Sequence, residues 1–281
     1  MNTLKTMFSG LVVGGAMTVP GVSGGCAAMI LGIYDELITA VSRAFSDPRK
    51  NLLFLLKFTA GACAGVLLIA RFISFLLTTP LEVPLRFLFL GAVAGGIPMI
   101  FRKAEIRRLT GGNTALILLG AASVLLLSLL PEGTFSPEKD GIAAVLLQAA
   151  GGILLAAALV LPGISASHFL LMLGIYDDVL EKLNAFDLLS LIPLALGTAA
   201  GIFLTARLVE MLFNSHPRGT YLVILGFMLG SLRELLPHGA GAVQTAAGML
   251  CTVVGFVVVY WLQSDKKRGD IVEKPVDKRN I

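Results

Sequence analysis

Pro20-Gly21-Val22-Ser23, running on to Leu31-Gly32-Ile33-Tyr34-Asp35-Glu36-Leu37, is matched 142 residues later by Pro162-Gly163-Ile164-Ser165, running on to Leu173-Gly174-Ile175-Tyr176-Asp177-Asp178-Val179. Both copies interrupt long apolar stretches, and the offset is about half of the 281-residue chain. Gly/Pro-interrupted apolar segments at corresponding places in two halves point to the binding site of a membrane transporter.

The composition agrees with a membrane setting. The chain is 56% hydrophobic and 14% charged, against roughly 25% charged residues in soluble domains. Its charges form short islands between runs long enough to cross a bilayer. The strand alternation of an outer-membrane barrel is absent, and no cleavable signal peptide is expected. Cys26, Cys63 and Cys251 are dispersed in apolar stretches, which suits neither a disulfide framework nor a metal site. Nothing calls for a cofactor. The net charge of +4 comes from basic residues beside apolar spans, where they set orientation and do not mark nucleic-acid binding.

The duplication extends along the whole chain. Gly10 matches Gly152 at the same offset. Gly61, Gly65 and Ala70-Arg71 match Gly197, Gly201 and Ala206-Arg207 at offset 136, and Gly91 and Gly95 match Gly226 and Gly230 at offset 135. Each half has four apolar blocks, at about 6–40, 52–79, 86–101 and 113–130, then 141–180, 188–213, 219–233 and 241–263. This predicts a first repeat over 1–135, a second over 136–263 and a basic, disordered cytoplasmic tail over 264–281.

The first block of each half is too long for one crossing. Forty helical residues run to roughly 60 Å, twice the hydrocarbon thickness. Pro20-Gly21 and Pro162-Gly163 sit where such helices must break. Each block is therefore read as a re-entrant hairpin, with its turn buried in protein or lining a wet cavity. The expected fold is an all-α polytopic membrane protein with an inverted-topology repeat, each half one re-entrant helical hairpin plus three transmembrane helices. That layout puts Lys5, Arg43, Arg49, Lys50, Lys57, Arg102, Lys103, Arg107, Arg108, Arg218 and the six basic residues of 266–279 on one side, and Arg86, Lys139, Lys182 and Arg233 on the other. Sixteen against four is a strong positive-inside bias, so both termini are expected in the cytoplasm.

Several residues carry the candidate chemistry. Ser23 and Ser165 follow the Pro-Gly turns at the start of the returning half-helices, where Ser is a good cap. Gly24-Gly25 and Ala166-Ser167 leave the next N–H groups uncovered, and such groups attract anions. Arg71 and Arg207 are repeat-equivalent and lie inside apolar spans, where an Arg costs about 2.5–3.5 kcal/mol unless it faces a cavity or partner. Glu210 could pair with Arg207, but Arg71 has no such acid. A shared anionic ligand explains both, and Arg suits phosphate. Asp35-Glu36 and Asp177-Asp178 read as solvated end charges beside an interfacial Tyr, or as gating groups. His168 reads as a packing residue or a proton carrier.

With these motifs the chain resembles the bacterial and archaeal undecaprenyl phosphate translocase (PopT) family, formerly a domain of unknown function. The resemblance rests on Val19-Pro20-Gly21-Val22-Ser23-Gly24-Gly25, Leu31-Gly32-Ile33-Tyr34-Asp35 and their second-half copies. It implies a non-enzymatic lipid transporter of the bacterial plasma membrane that serves cell-wall synthesis by returning undecaprenyl phosphate to the cytoplasmic leaflet. The implied partners are a polyprenyl phosphate and membrane lipids; a homo-oligomer is left open, and nucleic acid is excluded. The undecaprenyl pyrophosphate phosphatases are also similar, but their motif reads Pro-Gly-x-Ser-Arg-Ser. Here Gly24 and Ala166 occupy the Arg position, and no Glu-x-x-x-Glu pair occurs. A carrier for a soluble anion is the third reading.

Cysteine labelling tests this orientation. With Cys26, Cys63 and Cys251 replaced, single cysteines at Arg49 and Arg218 should resist a membrane-impermeant maleimide on intact cells, while cysteines at Lys139 and Arg233 react. Labelling of positions 49 and 218 from opposite sides would reject the topology.

Overall fold

The computed structural model describes residues 3–19, 21–106, 108, 110–129, 141–185, 187–237 and 241–272. Twelve α-helices occur among them, with no strand. The first half of the chain holds α1 (Thr3–Ala16), α2 (Gly24–Ile30), α3 (Tyr34–Ser42), α4 (Pro48–Leu77), α5 (Glu82–Lys103) and α6 (Gly111–Ser128). The second holds α7 (Ile142–Val160), α8 (Ala166–Met172), α9 (Tyr176–Asn184), α10 (Ile192–Ser215), α11 (Pro217–Leu235) and α12 (Ala242–Val272). The expected boundary near 135 lies outside the described residues. Among the described residues, five segments are long and apolar enough to cross a membrane: α4, α5, α6, α12 and Leu189–Ser215, which includes α10. The protein is an all-helical membrane protein.

The two halves use the same packing scheme. α1 lies along α4, with Thr3 beside Lys57, Gly10 against Phe58, Gly61 against Met7 and Gly65 against Leu11. Residue numbers rise together, so these helices are parallel. α7 and α10 repeat the arrangement, with Gly152 against Leu194, Gly197 against Ala149 and Gly201 against Ile153. The remaining long helices pair across the halves: α5 runs parallel to α12 through Gly91 and Thr252, and α6 runs parallel to α11 through Gly226 and Ile117. A methyl group at these glycines would overlap a facing backbone carbonyl or, at Gly201, the Ala156 methyl. Small residues at such crossings let backbones approach closely where no hydrophobic effect drives helices together.

Because α1 and α4 point the same way, the chain between them returns toward the side it left. The turn and the route back are shaped locally. Gly21 and Gly163 adopt φ +83° and +85°, a left-handed conformation that glycine takes without penalty. The returning helix, however, is not one half-helix to residue 40. α2 ends after seven residues, and α3 leaves it at 119°. At this break the Ile33 N–H donates to Ala28 O and the Gly32 N–H to Met29 O, with Gly32 at φ +64°. This is a Schellman stop. Gly174 and Ile175 form the same pair of bonds to Leu171 and Leu170. The repeated Leu-Gly-Ile-Tyr run is thus a helix terminator followed by a new helix.

The core is centred on α2, the Tyr34 end of α3, α5 and α11. Met29, Ile33, Ile100, Leu225 and Met228 are fully buried there. α11 is not among the five candidate spans, yet it is lined with buried residues from Tyr221 to Leu235. Protein, not lipid, surrounds much of it. At the C-terminus α12 continues past Ser264 to Val272, where a disordered tail was expected. Lys and Arg are good helix formers and prolong it. Residues 273–281 lie outside the described residues.

Gly61→Ala should destabilise the protein by about 1–3 kcal/mol through overpacking against the Met7 carbonyl. Gly111→Ala, which meets open space, should change stability by less than about 0.5 kcal/mol. Thermal unfolding in detergent compares them, and equal effects would contradict the packing account.

Candidate functional site

The two hairpin tips meet. A methyl on Gly25 would strike the Pro162 main chain. The Ser23 hydroxyl donates to Leu161 O at 3.4 Å, and the Tyr34 hydroxyl to Val160 O at 3.0 Å. Beside this contact lies a cavity of about 400 Å³, lined from the first tip by Met17, Thr18, Ser23 and Gly24 and from the second by Leu159, Ser165, Ala166 and Tyr176. Met17, Ser23 and Gly24 are the repeat counterparts of Leu159, Ser165 and Ala166. Among the described residues, no charged side chain lines it.

The serines hold the N-cap positions with extended backbone, at φ −80° and ψ 137° for Ser23 and φ −84° and ψ 123° for Ser165. Neither side chain caps its helix. Ser23 instead spans to the other tip, so the first N–H groups of α2 are not covered by their own cap. Gly25 belongs to the tip-to-tip contact and not to the cavity wall, because the Pro162 backbone occupies the space beside it. Gly163 packs against the Phe227 carbonyl, and Gly21 lies near that of Glu234. Pro162 is buried. Pro20 and the side chains of Ser167 and His168 lie outside the described residues.

Arg71 and Arg207 do not line this cavity; both are exposed, on α4 and α10. Their depth is nonetheless that of the tips. The parallel register that sets Leu11 against Gly65 and Gly15 against Ile69 brings Arg71 level with Met17. The register of Ala149 on Gly197 and Ile153 on Gly201 brings Arg207 level with Leu159. Glu210 does not pair with Arg207. It accepts hydrogen bonds from Arg43 and, at 2.6 Å, from the Ser42 hydroxyl, because α3 crosses onto α10 and reaches it first.

The acidic pairs are not equivalent in the structure. Asp35 is no simple solvated end charge: its Oδ2 accepts bonds from Lys103 of α5 and from the Tyr221 hydroxyl of α11. Phe45 packs on Phe203, and Phe213 sits between Tyr34 and Tyr221. α3 and the turn after it are thereby pinned to α5 of their own half and to α10 and α11 of the other. Glu36 is exposed. In the other half Asp177 is exposed, and Asp178 pairs with Lys182 within α9. Tyr176, counterpart of Tyr34, does not bond the Thr18 carbonyl that would match Val160; both Tyr176 and Thr18 face the cavity. Sequence reasoning missed Arg43, Lys103 and Tyr221, which it counted only as orientation charges or not at all. Their one signal was proximity to helix ends.

A polytopic helical membrane protein with paired Pro-Gly-x-Ser tips around one cavity is the class these features define. The family model described as undecaprenyl phosphate translocase-like matches residues 13–253, and the chain belongs to that family. It is 30% identical over 251 residues to the polyprenyl-phosphate transporter of Vibrio cholerae serotype O1, covering 84% of this chain and 79% of that protein. It is 26% identical over 270 residues to the polyprenyl-phosphate transporter of Staphylococcus aureus, covering 92% and 94%. No solved structure matches the chain.

The junction that holds α3 is measurable. Asp35→Asn and Lys103→Met should be coupled by about 1–2 kcal/mol in a double-mutant cycle, since the bond is charge-assisted but both side chains are partly exposed. Additive effects on thermal unfolding would show that the pair contributes nothing.

Proposed function

We propose that the chain is a polyprenyl phosphate transporter that returns undecaprenyl phosphate from the outer to the cytoplasmic leaflet of the bacterial plasma membrane by alternating access. The observation that carries this reading is the cavity shared by two repeat-related tips. The phosphate head sits between Ser23 and Ser165, near the N–H groups at Gly24 and Ala166. α2 and α8 have only seven residues each, so these groups act as local hydrogen-bond donors rather than through a large helix dipole. The polyprenyl tail stays in the bilayer. Arg71 and Arg207, exposed at tip depth, meet the phosphate as it enters sideways from the lipid and pass it to the tips.

Names of the relatives support transport of a polyprenyl phosphate. The uncharged cavity wall supports binding without hydrolysis, since cleavage needs an acid or base and charge neutralisation at the scissile bond. The parallel pairs and the packing of α3 on the C-terminal half of α10 support an inverted repeat with both termini in the cytoplasm. Their asymmetry supports one access state. The bond from Tyr34 to Val160 and the ion pairs of α3 close the cytoplasmic side. Tyr176 and Thr18 stand apart, leaving the outer side open. In the opposite state Tyr176 bonds the Thr18 carbonyl, and Tyr34 lets go. Asp177, Asp178 and His168 belong to the half that moves, as gating or coupling groups.

A leaflet-resolved assay of lipid phosphate in proteoliposomes tests the transport reading. Ala166→Leu, which fills the cavity, should slow transfer at least about tenfold, and Arg71→Ala with Arg207→Ala should abolish it with the fold retained. Normal transfer by the well-folded double variant would sink the role of the arginines; release of phosphate from polyprenyl pyrophosphate would favour the hydrolase. For the latch, Tyr34→Phe removes a bond worth about 1 kcal/mol and should shift a cysteine at Leu159 about fivefold toward cytoplasmic labelling. Tyr176→Phe, which removes a bond of the opposite state only, should shift it the other way. Equal behaviour of the two variants would reject the exchange.

A further inference from the structure

A second and larger cavity, of about 600 Å³, lies between α1, α3 and the start of α4. Asp35 and Glu36 line it from α3, and Lys50 and Lys57 from α4. Opposite charges so placed would be expected to pair. Instead Asp35 is engaged by Lys103 and Tyr221, and Lys57 donates to the Thr3 hydroxyl at 2.9 Å. Among the described residues neither Glu36 nor Lys50 forms an ion pair. The cavity therefore has an acidic wall and a basic wall held apart. A simple anion is drawn to one wall and repelled by the other, and a simple cation likewise. A zwitterion with its charges at two ends satisfies both.

We infer that this cavity binds the headgroup of a zwitterionic aminophospholipid. The primary ammonium lies toward Glu36, beside the already engaged Asp35, and the phosphodiester toward Lys50 and Lys57. Leu53 and Phe54 also line the cavity, and Leu52, Leu53 and Leu56 are exposed on α4, a membrane-crossing helix. These side chains give the acyl chains an apolar surface beside the head. A primary ammonium can donate hydrogen bonds to carboxylates. A quaternary ammonium cannot, and is usually held by an aromatic cage, for which Phe54 is the single ring among the described lining residues. The site belongs to one half only: at offset 136 the counterparts of Lys50 and Lys57 are Phe186 and Pro193. It is thus separate from the duplicated tips and independent of what they carry.

Thermal unfolding of the full chain in detergent, titrated with short-chain phosphatidylethanolamine, phosphatidylcholine or phosphatidylglycerol, tests this. Phosphatidylethanolamine should stabilise the wild type with a midpoint at least fivefold lower than either of the others. Glu36→Gln and Lys50→Gln, both at exposed positions, should each remove that preference while keeping the unliganded melting temperature. Glycerophosphoethanolamine, which lacks acyl chains, should act at least tenfold more weakly. Equal midpoints for the three lipids, or an undiminished preference in both variants, would overturn the site. An equal midpoint for the chain-free headgroup would overturn its assignment to a lipid.

Discussion

A Pro-Gly turn inside a membrane leaves backbone groups that lipid cannot hydrogen-bond, and each turn must therefore be buried by protein. Here residues that follow the first turn pack on the main chain of the second, and α11 covers the glycines of both. Gly25 lies on Pro162, Ser23 reaches Leu161, and Tyr34 reaches Val160. The rest of the architecture serves that contact. α1 and α7 lead into the tips, and glycine-lined pairing with α4 and α10 fixes their register. α11 lies beneath both turns, with Phe227 against Gly163 and Glu234 near Gly21. A helix that packs on protein in this way needs shape more than greasiness, which accounts for its absence from the candidate spans.

Much of this was legible in the residues. The glycines at matching offsets read as marks of duplication and do not foretell the helix pairs they line; Pro-Gly-x-Ser locates the two turns. Other features were legible but misassigned. Leu-Gly-Ile-Tyr reads as a run approaching the interface, whereas the left-handed glycine and its two backbone bonds make it a stop. That signal was local and could have been found from the Gly that follows an apolar helix.

The asymmetry could not have been read at all. Tyr34 and Tyr176 occupy identical motifs, yet one bonds across the tips and the other faces the cavity. Asp35 and Asp177 differ likewise. A duplicated sequence specifies two equivalent places, and a single conformation must treat them differently. The partners that break the tie, Lys103, Tyr221 and Glu210, come from distant parts of the chain, so local pattern is silent about them. The depth of Arg71 and Arg207 was legible; which way they face was not.

The meeting of the tips also has an electrical consequence. Under the alternating access proposed above, the barrier at their level is one pair of turns thick rather than a whole helix long. Where water or headgroups reach a tip from one side, most of the membrane potential falls across that thin septum. A unit charge crossing the whole field exchanges about 2.3 kcal/mol per 100 mV. A charge that shifts only by the width of the turns would exchange most of that amount. Short levers such as α2 and α8 could then sense voltage with little motion, and ionisable groups set beside the tips would be the first to feel it.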